Sequence, residues 1–465
     1  MEISLLKVLE KNDLFGIGEN GEVTSVKFGL YAAKEITAAD GSTIPAEGLL
    51  AIASCNENGE AVFECDVPVD SELYVKEISA DAHYIVAETM YPVSFDYQGQ
   101  DVAEVKLPVN DGKEIDNELI YGTVRGLKVD EDGLTVPGAT FGLFYSEETV
   151  FDREHAIMCC TTNEEGMFTF EKLVYGDYAI REIEPAEGFV LNETIYPVTI
   201  RESNELVEIG FENLHITGTV EVTKVDKDYP ENKLTGAEFE VWLDLDGDKK
   251  YDAEKDILVG LMKEAEIGIY RMEGLRYGGY FVYERTAPEG FQKDDGFYFF
   301  EIHEDGKTVI VENEAGIGFI NKARTGSIRI EKTSEDGVLK GFTFRVEGKD
   351  ACGNTFSQEY MTDEKGQILI EGLRIGEYTV SEVSNEASAK YVLPENVTLT
   401  VLEDKTTVAK FYNELKPEVP DIPKTGDDTN MPLWAAIAAA SLVGIGATVF
   451  VMLRKKRKGG AKHDR

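Results

Sequence analysis

The chain has 465 residues, room for three or four domains of ordinary size. Its 88 acidic and 46 basic residues give a formal charge of −42, which repels phosphate backbones and argues against a nucleic-acid partner. A disordered acidic tail is excluded too, because 42% of residues are hydrophobic and 10% aromatic, enough to build real cores.

The opening MEISLLKVLEKND carries acids at Glu2 and Glu10 and lacks the apolar run of a secretory signal. Met1 stands almost on a first strand, so the expectation is either the C-terminal part of a longer protein or a misassigned start. Strand side chains at i, i+2 and i+4 share one face. Ile3, Leu5 and Lys7 do so at the start, Leu73, Val75 and Glu77 in the middle, and Ile115 and Asn117 at the end of residues 1–117. The pattern then returns. Val124, Gly126 and Lys128 open residues 118–214, Tyr178, Ile180 and Glu182 stand in their middle, and Phe211 and Asn213 close them. Residues 215–322 repeat it with Val220, Val222 and Lys224, then Tyr280, Val282 and Glu284, then Phe319 and Asn321. Residues 323–415 do so with Ile328, Ile330 and Lys332, then Tyr378, Val380 and Glu382, then Phe411 and Asn413. Short alternating runs bounded by Asn-Gly, Asp-Gly and Glu-Gly turns, recurring about every 100 residues, predict an all-β chain of four tandem immunoglobulin-like sandwiches.

Between the first and second landmarks of the third repeat, DLDGDKKYDAEKD (244–256) gathers Asp244, Asp246, Asp248 and Asp252 at calcium-like spacing. Its Gly stands at the fourth position and Lys255 where an EF-hand places a bidentate Glu, so a solvated acidic loop competes with a calcium site; no other cofactor is expected. LKPEVPDIP (415–423) reads as a stiff spacer within a linker at 416–430. A helix at 431–453 follows, whose residues 433–453 are uncharged and long enough to span a membrane, and then a basic tail at 454–465 that the positive-inside rule places in the cytoplasm. The five cysteines (Cys55, Cys65, Cys159, Cys160 and Cys352) show no CxxC or CxxH spacing, which argues against zinc or a disulfide framework.

Each repeat thus turns one Lys, one Glu and one Asn toward its core. A buried unpaired polar group costs several kcal/mol and an isolated charge far more, so the recurrence needs a reason. A buried Lys–Glu ion pair with a hydrogen-bonded Asn is one, although such a pair is often no better than an apolar core. Reaction is the other. Burial makes the lysine amine neutral and nucleophilic and keeps the glutamate protonated, poised to polarise the carboxamide and pass a proton to leaving ammonia. The product is an isopeptide bond formed once, with no turnover.

Two resemblances sharpen this. Ile422-Pro423-Lys424-Thr425-Gly426, followed by a span and a basic tail, resembles a Gram-positive cell-wall sorting signal, with Ile where Leu is usual. That resemblance implies cleavage between Thr425 and Gly426 by sortase, transfer to peptidoglycan, and a membrane span that is a temporary tether. YFVYERTAPEGF (280–291) and, more loosely, YAIREIEPAEGF (178–189) resemble the E-box of collagen-adhesin B-type and SpaA-type pilin domains, which implies a prealbumin-like fold and Lys–Asn cross-links. The first repeat lacks this tail. YPVSF and YPVTI have Val where a polymerising pilin has Lys, so a polymerised backbone pilin is not expected. The expected function is a wall-anchored structural stalk or adhesin whose host or matrix ligand the sequence does not name. The competing readings are the stalk of a wall-anchored hydrolase and a minor pilus subunit.

Overall fold

The structure, a computed structural model, describes residues 1–418 apart from 95, 100 and 103. The sorting motif, the span at 433–453 and the basic tail lie outside the described residues, among which no helix is long and apolar enough to cross a membrane. Strands dominate, with two short 3-10 turns at Glu22–Ser25 and Val109–Gly112. The chain forms two compact units, Met1–Arg324 and Thr325–Arg465.

The first unit contains three successive pairs of sheets. In the second of these, the opening strand Tyr121–Asp130 lies between Met167–Val174, antiparallel to it, and the closing strand Leu206–Asn213, parallel to it. Parallel neighbours need a long crossover. Here the crossover is the rest of the domain, including the facing sheet of Met158–Thr161, Thr140–Tyr145, Gly176–Glu184 and Tyr196–Ile200. The first and third pairs keep this plan but break the closing strand. It is Lys106–Pro108 and Ile115–Asn117 beside Glu2–Leu9, and Thr308–Ile310 and Phe319–Asn321 beside Thr217–Asp226.

The second unit holds one pair of sheets, with Thr325–Ser334 between Gln367–Arg374 and the closing strand Thr406–Asn413. Alternation fixes its register. Ile328, Ile330, Val346 and Val380 are fully buried between the sheets, each contributing about 1.5–3 kcal/mol, whereas a slip of one residue would turn every one of them to solvent.

Two recurrent local devices hold the opening strand. The N–H of each lysine donates to a turn glycine, as Lys128 N to Gly166 O at 2.7 Å. Gly59, Gly166 and Gly366 have φ of +82°, +69° and +73°, and a Cβ there would lie 2.1–2.5 Å from the lysine's carbonyl oxygen, so only glycine fits. The second device is a tyrosine anchor. The hydroxyls of Tyr178, Tyr280 and Tyr378 donate to Val174 O, Arg276 O and Arg374 O at 2.7–2.8 Å. The first domain has Leu73 in this place and forgoes the bond.

Within the first unit the linkers are pinned from both sides. Ile216 N donates to Gly188 O at 2.8 Å and Ile216 O accepts from Tyr277 N at 2.9 Å, while Tyr277 Oη donates to Glu187 at 2.7 Å. Ile120 is held the same way by His83 O and Tyr175 N.

Candidate functional site

Each opening strand presents its lysine inward, and in register the asparagine lies two residues beyond the lysine's partner on the closing strand. Lys7 pairs with Ile115, Lys128 with Phe211, Lys224 with Phe319 and Lys332 with Phe411. The glutamate reaches over from the facing sheet, where Glu77, Glu182, Glu284 and Glu382 stand opposite Phe28, Phe141, Phe239 and Phe344. All twelve of these Lys, Glu and Asn residues are buried, none more than 8% exposed.

In the first domain Lys7 Nζ donates to Asn117 Oδ1 at 2.5 Å, Asn117 Nδ2 donates to Glu77 Oε1 at 2.6 Å, and Lys7 Nζ lies 3.6 Å from Glu77 Oε2. The second repeats this. Lys128 Nζ donates to Asn213 Oδ1, and Asn213 Nδ2 meets both Glu182 oxygens at 2.8 Å. In the third, Asn321 Nδ2 donates to Glu284 at 2.8 and 2.9 Å and Lys224 Nζ is 3.1 Å from Glu284 Oε1. There Lys224 Nζ and Asn321 Oδ1 have no hydrogen-bond partner. The fourth domain differs. Asn413 Nδ2 donates to Glu382 Oε1 at 2.6 Å, but Lys332 Nζ donates to Thr333 O and leaves Asn413 Oδ1 without a partner.

Burial pushes all four lysines below their usual pKa against the pull of the neighbouring glutamate, Lys224 to about 8. Burial likewise pushes the Glu77 and Glu382 carboxyls up. An amine of lowered pKa, a carboxamide and a carboxyl group thus meet in the first two domains, and in the third the carboxyl group reaches both nitrogens. The arrangement is capable of aminolysis: the amine adds to the Asn carbonyl carbon, the C–Nδ2 bond breaks, and the carboxyl carries the lysine proton to the departing nitrogen.

Sequence patterning did not reveal the phenylalanine opposite each glutamate, because its cross-strand partner is set by a pairing that no local pattern encodes. Those rings line the lysine pockets, with Lys128 Nζ 5.7 Å from the Phe141 centroid and Lys224 Nζ 6.0 Å from that of Phe239. Backbone donors to the glutamates were also invisible. Asn192 N and Asp294 N donate to Glu182 Oε2 and Glu284 Oε2 at 2.7 and 2.8 Å.

The acidic loop is assembled differently from the expected set. Asp244 and Asp246 converge with Asp256, whereas Asp248 and Asp252 stand outside that cluster. The chain turns back because Asp252 N donates to Asp256 Oδ2 at 2.7 Å. Asp244 already accepts from Gly247 N and Lys249 N, and Lys255 Nζ sits 2.8 Å from Asp246. Backbone amides and a lysine ammonium thus serve these carboxylates.

A family model described as SpaA, prealbumin-like fold domain, matches residues 122–215, 218–315 and 326–415. Among solved structures, the Bacillus anthracis TIE protein superposes with a TM-score of 0.53 at 20% identity, over 84% of this chain and 69% of that one, a likeness of fold. The Bacillus cereus major pilin subunit BcpA gives a TM-score of 0.32 at 16% identity, over 64% of this chain and 100% of that one. The full-length major pilin SpaD of Corynebacterium diphtheriae gives 0.21 at 16% identity, over 64% and 98%. No curated protein matches the sequence.

Proposed function

The chain belongs to the family of SpaA prealbumin-like fold domains, and from that premise we propose that it is a cell-wall-anchored structural stalk or adhesin, related to pilins. Its domains are stiffened by intramolecular Lys–Asn isopeptide bonds. Lys7–Asn117, Lys128–Asn213, Lys224–Asn321 and Lys332–Asn413 are the cross-linked pairs, with Glu77, Glu182, Glu284 and Glu382 as the proton shuttles. Sortase cleaves after Thr425 and joins the chain to peptidoglycan, and residues 433–453 hold it in the membrane until then. The product stands on the surface of a Gram-positive cell.

One observation carries this reading: four separate sandwiches each bury a lysine, a glutamate and an asparagine between their first, middle and last strands. Ion pairing alone gives little reason to keep such a costly set four times over. Contact between amine and carboxamide supplies an effective molarity on the order of 10⁵ M or more, which lets an amide form without a cofactor.

The mass of the purified, denatured chain tests it. Each bond removes one ammonia, and Glu182→Ala or Glu284→Ala restores one. A wild-type mass equal to that of the unmodified sequence overturns the cross-linking. Wall attachment has its own check, since Thr425→Ala keeps the chain in the membrane fraction and out of the peptidoglycan fraction.

A further inference from the structure

The fourth domain departs from the second and third at two positions around its triad. Bridges from Phe189 to His215, Phe291 to Ala323 and Tyr391 to Leu415 fix which residues correspond after the glutamate strand. Three residues beyond each aromatic stand Asn192, Asp294 and Pro394. The first two give their backbone N–H to Glu182 Oε2 and Glu284 Oε2. Proline has no N–H to give, and Glu382 Oε2 is buried without a hydrogen-bond partner.

The second departure lies two residues before the aromatic opposite each glutamate, where Ala139 and Ala237 are replaced by Phe342. The added ring lies beside the lysine. Lys332 Nζ sits 4.1 Å from the Phe342 centroid and 5.9 Å from that of Tyr391, and it donates to Thr333 O instead of Asn413. A cation–π contact favours the ammonium form, which is not a nucleophile; Lys224 meets a ring too, 4.8 Å from the Phe319 centroid, but no carbonyl holds it there. The first domain is intermediate. Ala87 N–H faces Glu77 without fully satisfying Oε2, yet Lys7 rests on Asn117.

We propose that the backbone N–H three residues past the bridging aromatic is a positioning group for the proton-shuttling glutamate. Through Pro394 and Phe342, the fourth domain closes its Lys332–Asn413 bond at least about tenfold more slowly than the second and third domains. Newly made chains therefore carry closed domains followed, nearest the sorting motif in sequence, by one that is still open. The inference rests on the isopeptide reading of the sites.

Peptide-level mass spectrometry of the full chain, digested at intervals after synthesis, reads each bond separately as a branched peptide one ammonia lighter than its two parts. The expected result is prompt branching at Lys128 and Lys224 and slow branching at Lys332. Pro394→Ala should speed the last about tenfold or more, with a further gain from adding Phe342→Ala, and leave the other three unchanged. In the second domain Asn192→Pro should slow branching while Asn192→Ala, which keeps the N–H, should not. A merely structural role for this position would not separate those two variants. Equal, prompt branching in all four wild-type domains overturns this inference alone. Failure of Pro394→Ala with Phe342→Ala to speed the fourth also overturns it. Absence of branching everywhere overturns the isopeptide reading and this inference with it.

Discussion

At the scale of single residues, the proposed chemistry turns on Lys224. Burial brings its pKa from the ordinary 10.5 to about 8, so near neutral pH a useful fraction of the amine is free to attack. In Asn321→Ala the amine has no partner to join and stays titratable. Between pH 8 and 10.5 the unfolded chain then binds the lysine proton more tightly than the folded one, so stability must rise with pH across that window. Below pH 8 both states hold the proton and the destabilisation is fully present. Thermal unfolding of Asn321→Ala should shift upward by several degrees between pH 8 and 10, whereas Lys224→Met with Asn321→Ala, which has nothing to titrate at that site, should not. Equal slopes for the two variants would mean that Lys224 keeps an ordinary pKa. The same neutral fraction governs the wild-type reaction, so bond closure in freshly refolded third domain should accelerate up to about pH 8 and then level off.

The strands and turns place those residues, and the turn glycines give the sharpest check. A Cβ on Gly166 would lie 2.5 Å from Lys128 O in a backbone with φ of +69°. Gly166→Ala should destabilise the second domain by about 2 kcal/mol or more and slow its cross-link, because relieving the clash moves the lysine strand. Gly133 has a φ of +79° with nothing within 4 Å, so Gly133→Ala should meet the backbone strain alone, destabilise by about 1 kcal/mol and leave the cross-link rate unchanged. Denaturant unfolding and ammonia loss measured side by side distinguish the two. Period-two patterning makes the triads legible in the sequence, since Lys7, Glu77 and Asn117 each sit two places from an apolar neighbour on an inward face. Long-range pairing was not legible. Nothing local says that Phe141 faces Glu182, that Pro394 falls where Asn192 gives its N–H, or that Asp256 folds back to displace Asp248 and Asp252 from the acidic cluster. Nor does the sequence show that Lys332 meets Thr333 O and the Phe342 ring rather than Asn413, since strand alternation marks Phe342 only as another core residue.

At the scale of the whole molecule, the position of the proposed bond in the fold bears on how load passes. Lysine and asparagine lie on neighbouring parallel strands at the two ends of each domain, so with the proposed bond closed, tension entering at the opening strand would leave through the closing strand without crossing the sheets between. In the second domain the proposed bond would close off the 85 positions separating Lys128 from Asn213. Fully extended, a segment of that length would span roughly 290 Å at about 3.4 Å per residue. Stretching single wild-type chains should therefore show no release of that length from the second domain. Glu182→Ala, which leaves Lys128 and Asn213 unjoined, should add one unfolding step of about that size at ordinary forces for a β-sandwich. Resistance to force follows the unfolding rate rather than the equilibrium stability, so the mechanical gain should exceed the roughly 4–5 kcal/mol that closing a loop of about 100 residues adds thermodynamically. A wild-type chain that yields the full-length step from the second domain would show that the load passes through hydrogen bonds after all, and the domain would then be stiffened only by its packing.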